Sequence, residues 1–133
     1  MIEIDRRFYD EMVEHGLAGF PNEACGLLAG KEGLPVKFFA MKNRDGSPVT
    51  YRLDPKEQLQ VFEEMDGEGW DLLAIFHTHT HSEAYPSETD RKQAFYPDAY
   101  HLVMSLSDRR NPDLRAFHIA EDDEVTEEEL AIA

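Results

Sequence analysis

Trp70-Asp-Leu-Leu-Ala-Ile-Phe-His-Thr-His79 decides the fold of this chain, because an apolar run of strand length ends in two histidines two positions apart. The run from Trp70 to Phe76 is short and almost continuously apolar, the pattern of a strand buried on both faces. Alternate side chains of a strand share a face, so His77 and His79 point the same way at the strand's end. Two imidazoles so placed can share a metal ion. A carboxylate from the next element would make a third ligand and leave a fourth position for water. Asp90, eleven positions beyond His79, is the candidate, in the first turn of a short helix capped by Ser87. His81 competes with it, since on spacing alone His77, His79 and His81 all share a face if the strand runs on.

Outward from this strand the remaining elements follow. Asp5 is placed to cap a helix running to about Gly19, with Phe8, Met12, Val13 and Leu17 at helical spacing and Gly19 and Pro21 as the stop. Ala24 to Gly30 is small and apolar and reads as a buried strand, with Glu23 just before it. Leu34 to Met41 reads as a strand, Lys42 to Pro48 as a polar turn and Val49 to Leu53 as an alternating strand, together a hairpin. Asp54-Pro55 opens a second helix whose stripe is Leu59, Val61, Phe62 and Met65, ending at Asp66-Gly67. Tyr100 to Ser107 and Leu114 to Ala120 are two further strands. The expected fold class is α/β (α+β), a mixed central sheet flanked by helices on both faces.

The length of 133 residues predicts a single domain over 1–133. With 41% hydrophobic and 31% charged residues the composition is that of a globular protein. No apolar run reaches membrane-span length, and Met1 to Arg7 has no signal-peptide pattern, which together predict a cytoplasmic protein. Cys25 is the sole cysteine, so any zinc site must use histidine and carboxylate, and the thiol itself reads as core. A net charge of −15 argues against a nucleic-acid or anionic-membrane partner. Much of that charge lies in Glu121–Glu129, which reads as a solvated surface. No Gly-x-Gly-x-x-Gly or Gly-Lys-Ser/Thr motif is present to support nucleotide binding. Trp70, Phe38, Phe39, Phe62 and Phe76 read as packing, and so do Tyr85 and Tyr96, although these two lie near the motif.

Glu23, His77-Thr78-His79 and Ser87-Glu88-Thr89-Asp90 together resemble the signature of the JAMM (MPN+) metalloprotease family. That pattern is an upstream glutamate, His-Ser/Thr-His-Pro, and then Ser-x-x-Asp; here Thr80 stands where the proline would be. The resemblance extends over nearly the whole chain, including Pro21 to Gly30 and Glu83 to Ser87. It implies the JAB/MPN fold, a three-layer architecture like that of cytidine deaminases. It also implies one Zn2+ per chain on His77, His79 and Asp90, with a zinc-bound water as nucleophile. Glu23 would be the general acid/base, and Ser87 would stabilise the oxyanion. His81 would be left as a bystander.

The Thr80 variant, with the segments around Glu23 and Tyr85, looks like the bacterial branch acting on ubiquitin-like sulfur-carrier proteins, and within it the cysteine-releasing peptidases. Such an enzyme hydrolyses the amide between a carrier's C-terminal glycine and cysteine, so the implied partner is a carrier ending in Gly-Gly. A homodimer is compatible with this. A general peptidase for other ubiquitin-like adducts or small peptides is the nearest alternative, and a non-catalytic MPN scaffold is a second. A zinc deaminase would need His-x-Glu and Pro-Cys-x-x-Cys, which one cysteine cannot supply.

Overall fold

Residues 1–133 are described by a computed structural model. The chain runs β1 (Ile2–Ile4), α1 (Arg6–Gly19), β2 (Cys25–Lys31), β3 (Leu34–Met41), α2 (Pro55–Glu68), β4 (Asp71–His79), α3 (Glu88–Lys92), β5 (Tyr100–Ser105), β6 (Asp113–Ile119), β7 (Val125–Glu128) and β8 (Leu130–Ile132). Six strands form a mixed sheet ordered β3-β2-β4-β5-β6-β7, while β1 and β8 pair as a separate parallel ribbon. Only β4 and β5 are parallel within the large sheet. Their connection must therefore cross from one end to the other, and it carries α3 on the way.

Alternation along the central strands divides the core. Leu28, Ala74 and Phe76 pack with Phe8 and Met12 of α1, whereas Leu27, Ala29 and Ile75 pack with Val61 and Met65 of α2. Both faces of β2 and β4 are covered, which is why these strands read as continuous apolar runs. Cys25 is fully buried, and Phe38, Phe39, Phe62, Phe76 and Trp70 all lie in or against the two clusters. No helix is long and apolar enough to cross a membrane.

Several expectations need correction. Asp5 occupies the cap position of α1 but its side chain makes no cap hydrogen bond, whereas Asp54 Oδ1 accepts from Lys56 N at 3.2 Å. Leu17 and Leu59 point to solvent, at 40% and 59% exposure. Val49 to Leu53 is not a strand, and only Leu53 makes an isolated bridge, to Asn43. The Asn43 side chain replaces the ladder there, as its Oδ1 accepts from Asp45 N and Arg52 N while its Nδ2 donates to Thr50 O and Glu23 O. Local side-chain bonds of this kind compete with strand pairing. The acidic stretch Glu121–Glu129 is largely exposed as expected, yet it contributes β7, and β8 follows directly after it.

Candidate active site

Register brings the upstream acid to the histidines. Cys25 of β2 lies opposite His77 of antiparallel β4, so two positions further on Glu23 comes beside His79 on the same face. Thr78, between the histidines, closes the junction: its Oγ1 accepts from Ala24 N at 2.9 Å and its N donates to Ala24 O at 3.0 Å. Glu23 is itself pinned, its N donating to Ser47 O at 2.8 Å and its O accepting from Asn43 Nδ2 at 3.0 Å. An acid remote in sequence is thereby placed with backbone precision.

His77, His79 and Asp90 converge, with one ligand atom from each within 4.8 Å of the others. The two Nε2 atoms are 3.2 Å apart, and Asp90 Oδ2 lies 3.1 Å from that of His77 and 2.9 Å from that of His79. His79 Nδ1 donates to Glu83 O at 2.8 Å, which turns the Nε2 lone pair inward. Asp90 Oδ2 accepts from Ser87 N at 2.9 Å, and Asp90 N donates to Ser87 Oγ at 3.0 Å, a reciprocal cap that fixes the carboxylate. Two imidazole nitrogens and one carboxylate around a single point are a donor set that fits Zn2+. Glu23 Oε1 is buried beside them with no hydrogen-bond partner, as expected of an acid whose partner is a coordinated group.

His81 stands outside this group. β4 ends at His79, and His81 turns to solvent, its Nδ1 2.9 Å from Thr80 Oγ1 and its ring against Phe20. Thr80 is buried and donates from Oγ1 to Pro48 O at 2.9 Å, tying the end of β4 to the Asn43-braced loop. Ser87 is exposed, and because its Oγ accepts the cap bond, its proton remains free to donate.

Electrostatics follow from burial and proximity. Desolvation pushes Glu23 up to about 8, against the opposing pull of His79 and with help from Asp90. Burial also works to raise Asp90, but hydrogen bonds from His77 and His79 outweigh it and hold that carboxyl far below the usual range. For His79 burial lowers the pKa, and the Asp90 hydrogen bond with the Glu83 carbonyl more than offsets it, so the net shift is upward. One carboxyl is thus kept ionised as a ligand, and its neighbour is made basic enough to hold a proton near neutral pH.

Residues 5–120 match the family model described as prokaryotic homologs of the JAB domain. The chain belongs to that family. Among its JAB relatives is the CysO-cysteine peptidase of Mycobacterium tuberculosis strain H37Rv, 43% identical over 123 residues, or 91% of this chain and 84% of the relative. The desampylase of Haloferax volcanii is 34% identical over 111 residues, 75% and 77% of the two chains. A solution structure of a Desulfitobacterium hafniense protein superposes with TM-score 0.89 at 36% identity, over all of this chain and 93% of the other. A JAB1/MPN domain protein from Archaeoglobus fulgidus gives TM-score 0.62 at 18% identity, over all of this chain and 97% of the other, a likeness of fold. This JAB chain is accordingly a hydrolase of the peptidase class.

Two site residues had no motif to reveal them. Tyr51 stacks on His77 with ring centroids 4.5 Å apart and planes 20° apart, yet it sits in the segment that reads as a plain strand. His101 of β5 is paired with Ile75, two residues before His77. Tyr85 packs edge-on against Phe117, and Tyr96 accepts a hydrogen bond from Gln58, so both tyrosines do pack.

Proposed function

We propose that the chain is a zinc-dependent peptidase acting as one catalytic unit, which hydrolyses the amide joining the C-terminal glycine of a ubiquitin-like sulfur-carrier protein to cysteine. The convergence of His77, His79 and Asp90 beside a buried, unpartnered Glu23 carries the chemistry. Likeness to the mycobacterial peptidase over most of both chains supports the substrate. His77, His79 and Asp90 would hold the ion. Zinc there would supply a Lewis acid for the scissile carbonyl and lower the pKa of water to about 7.

The protein's own residues supply proton transfer and positioning. Glu23 takes a proton from the attacking water at its unpaired Oε1 and delivers it to the departing amine, a task suited to a carboxylate made more basic by burial. Ser87 donates from Oγ to the carbonyl oxygen as charge develops, while its lone pair keeps the α3 cap. Thr80 stiffens the loop leaving β4 by its hydrogen bond to Pro48. A reducing cytoplasm suits the single buried thiol and a cysteine product. The 34% identity to a desampylase supports a second reading, release of other ubiquitin-like adducts by the same residues.

Zinc content tests the first half directly. Protein purified without added chelator should carry about one zinc per chain, and Asp90→Ala should lose both metal and turnover while remaining folded. Stoichiometric zinc in Asp90→Ala would show that the ligand set is wrong.

A further inference from the structure

A cavity lies on the same sheet face as the histidines, one aromatic ring away. It has a volume of about 310 Å³ and is walled by Tyr51, Arg52, Leu53, Ile75, Tyr96 and His101 among others. Tyr51 forms its boundary with the metal site, because the ring that lines the cavity also stacks on His77. Ile75 precedes His77 by two residues, which along a strand is roughly 7 Å. The cavity therefore begins about one amino-acid length from the histidines, within the span of a group flanking a bond held there.

Its polar groups match a free amino acid better than a polypeptide. His101 is 4% exposed, and its Nε2 has no hydrogen-bond partner. Burial favours the neutral ring, in which one nitrogen is an acceptor, and the unpartnered Nε2 is the nitrogen open to a ligand. A buried acceptor without a donor is costly, so a ligand thiol or hydroxyl offers a gain that an alkyl group does not. Arg52 stands at the rim with only its Nε engaged, to Asp45 Oδ1 at 2.9 Å, so its Nη groups are available to a carboxylate. The remaining lining is mainly apolar.

We infer that this cavity is the subsite for the leaving amino acid, with Arg52 binding its free α-carboxylate and His101 Nε2 accepting from its side-chain thiol or hydroxyl. The inference deepens the peptidase reading and rests on it. It makes the enzyme selective for a single terminal residue, since an adduct to a protein lysine carries no carboxylate at this place.

Peptides ending in Gly-Gly-Cys, as the free acid and as the C-terminal amide, serve as probes with zinc-loaded protein. The acid should show kcat/KM about tenfold above the amide, the magnitude of one charge-assisted hydrogen bond. Arg52→Ala should bring that ratio near one through KM, and Arg52→Lys should restore part of it. Equal kcat/KM for acid and amide with the unaltered protein overturns the carboxylate assignment. Failure to cleave either peptide counts against the peptidase reading instead, and the subsite is then decided by NMR titration of zinc-free protein with N-acetyl-L-serine and N-acetyl-L-alanine. The serine compound should shift His101 and Tyr51 signals and bind about fivefold tighter than the alanine compound, a preference lost in His101→Leu. No shift at His101, or equal affinities in the unaltered protein, overturns it.

Discussion

Glu23 combines features that separate binding from chemistry: 5% exposure, an unpaired Oε1, and no place among the three converging ligand atoms. Glu23→Gln keeps the volume and removes the base. We predict unchanged zinc content with kcat lowered by roughly 10² to 10⁴, the usual worth of general acid/base catalysis. Metal analysis beside steady-state kinetics checks this, and a variant with near-normal kcat would remove Glu23 from the mechanism. At this scale the histidines and Asp90 were legible as a candidate metal set, but spacing alone had no means of choosing between Asp90 and His81, and only the family resemblance favoured Asp90. In the structure β4 ends at His79, so Asp90 and not His81 converges with the two histidines, and a strand's last residue is set by its neighbours. Glu23 is one of 28 acidic residues, and without the family resemblance nothing local distinguishes it. Tyr51 and His101 carry no motif because contacts remote in sequence, a ring stacked on His77 and a pairing with Ile75, give them their place.

Strands buried on both sides were legible, and so was the edge strand β3, whereas the edge strand β7 was not. β2 and β4 carry continuous apolar runs because α1 and α2 cover both their faces. By contrast, β7 reads Val-Thr-Glu-Glu and sits at the sheet's exposed edge, where burial leaves little imprint on composition. The three-residue strands β1 and β8 depend on each other across the length of the chain, a pairing no local window detects. Val49 to Leu53 failed in the opposite sense, since its alternation is genuine but Asn43 takes its backbone partners. That brace also holds the Glu23 carbonyl. Asn43→Ala removes four side-chain hydrogen bonds, so we expect a stability loss of about 2–4 kcal/mol by denaturant melt, at about 1 kcal/mol each. It should also lower kcat while zinc is retained; an unchanged kcat would show that the loop does not position Glu23.

Across the whole molecule, charge and burial set the response to acid. Burial holds His101 down at about 4, against an ordinary value of 6.5. A depressed histidine leaves the unfolded chain the better proton acceptor, so its contribution is intact above pH 6.5 and is lost as pH falls toward 4. At about 1.4 kcal/mol per unit the loss amounts to up to about 3 kcal/mol. In zinc-free samples the stability difference between the unaltered protein and His101→Gln should shift by that order between pH 7 and 4, to the disadvantage of the unaltered protein. A pH-independent difference would mean that His101 is not held neutral by the fold. Fold class was the most legible property at this scale, because interleaved helices and strands with two doubly buried central strands admit few arrangements. The central claim concerns one bond. Intact-mass measurement of a sulfur-carrier protein bearing cysteine on its C-terminal glycine, incubated with zinc-loaded protein, should show loss of the cysteine residue and regeneration of the free Gly-Gly tail. The zinc-stripped protein and Glu23→Gln should leave the adduct intact. An adduct mass unchanged by the zinc-loaded protein, or equal release by Glu23→Gln, would contradict the account.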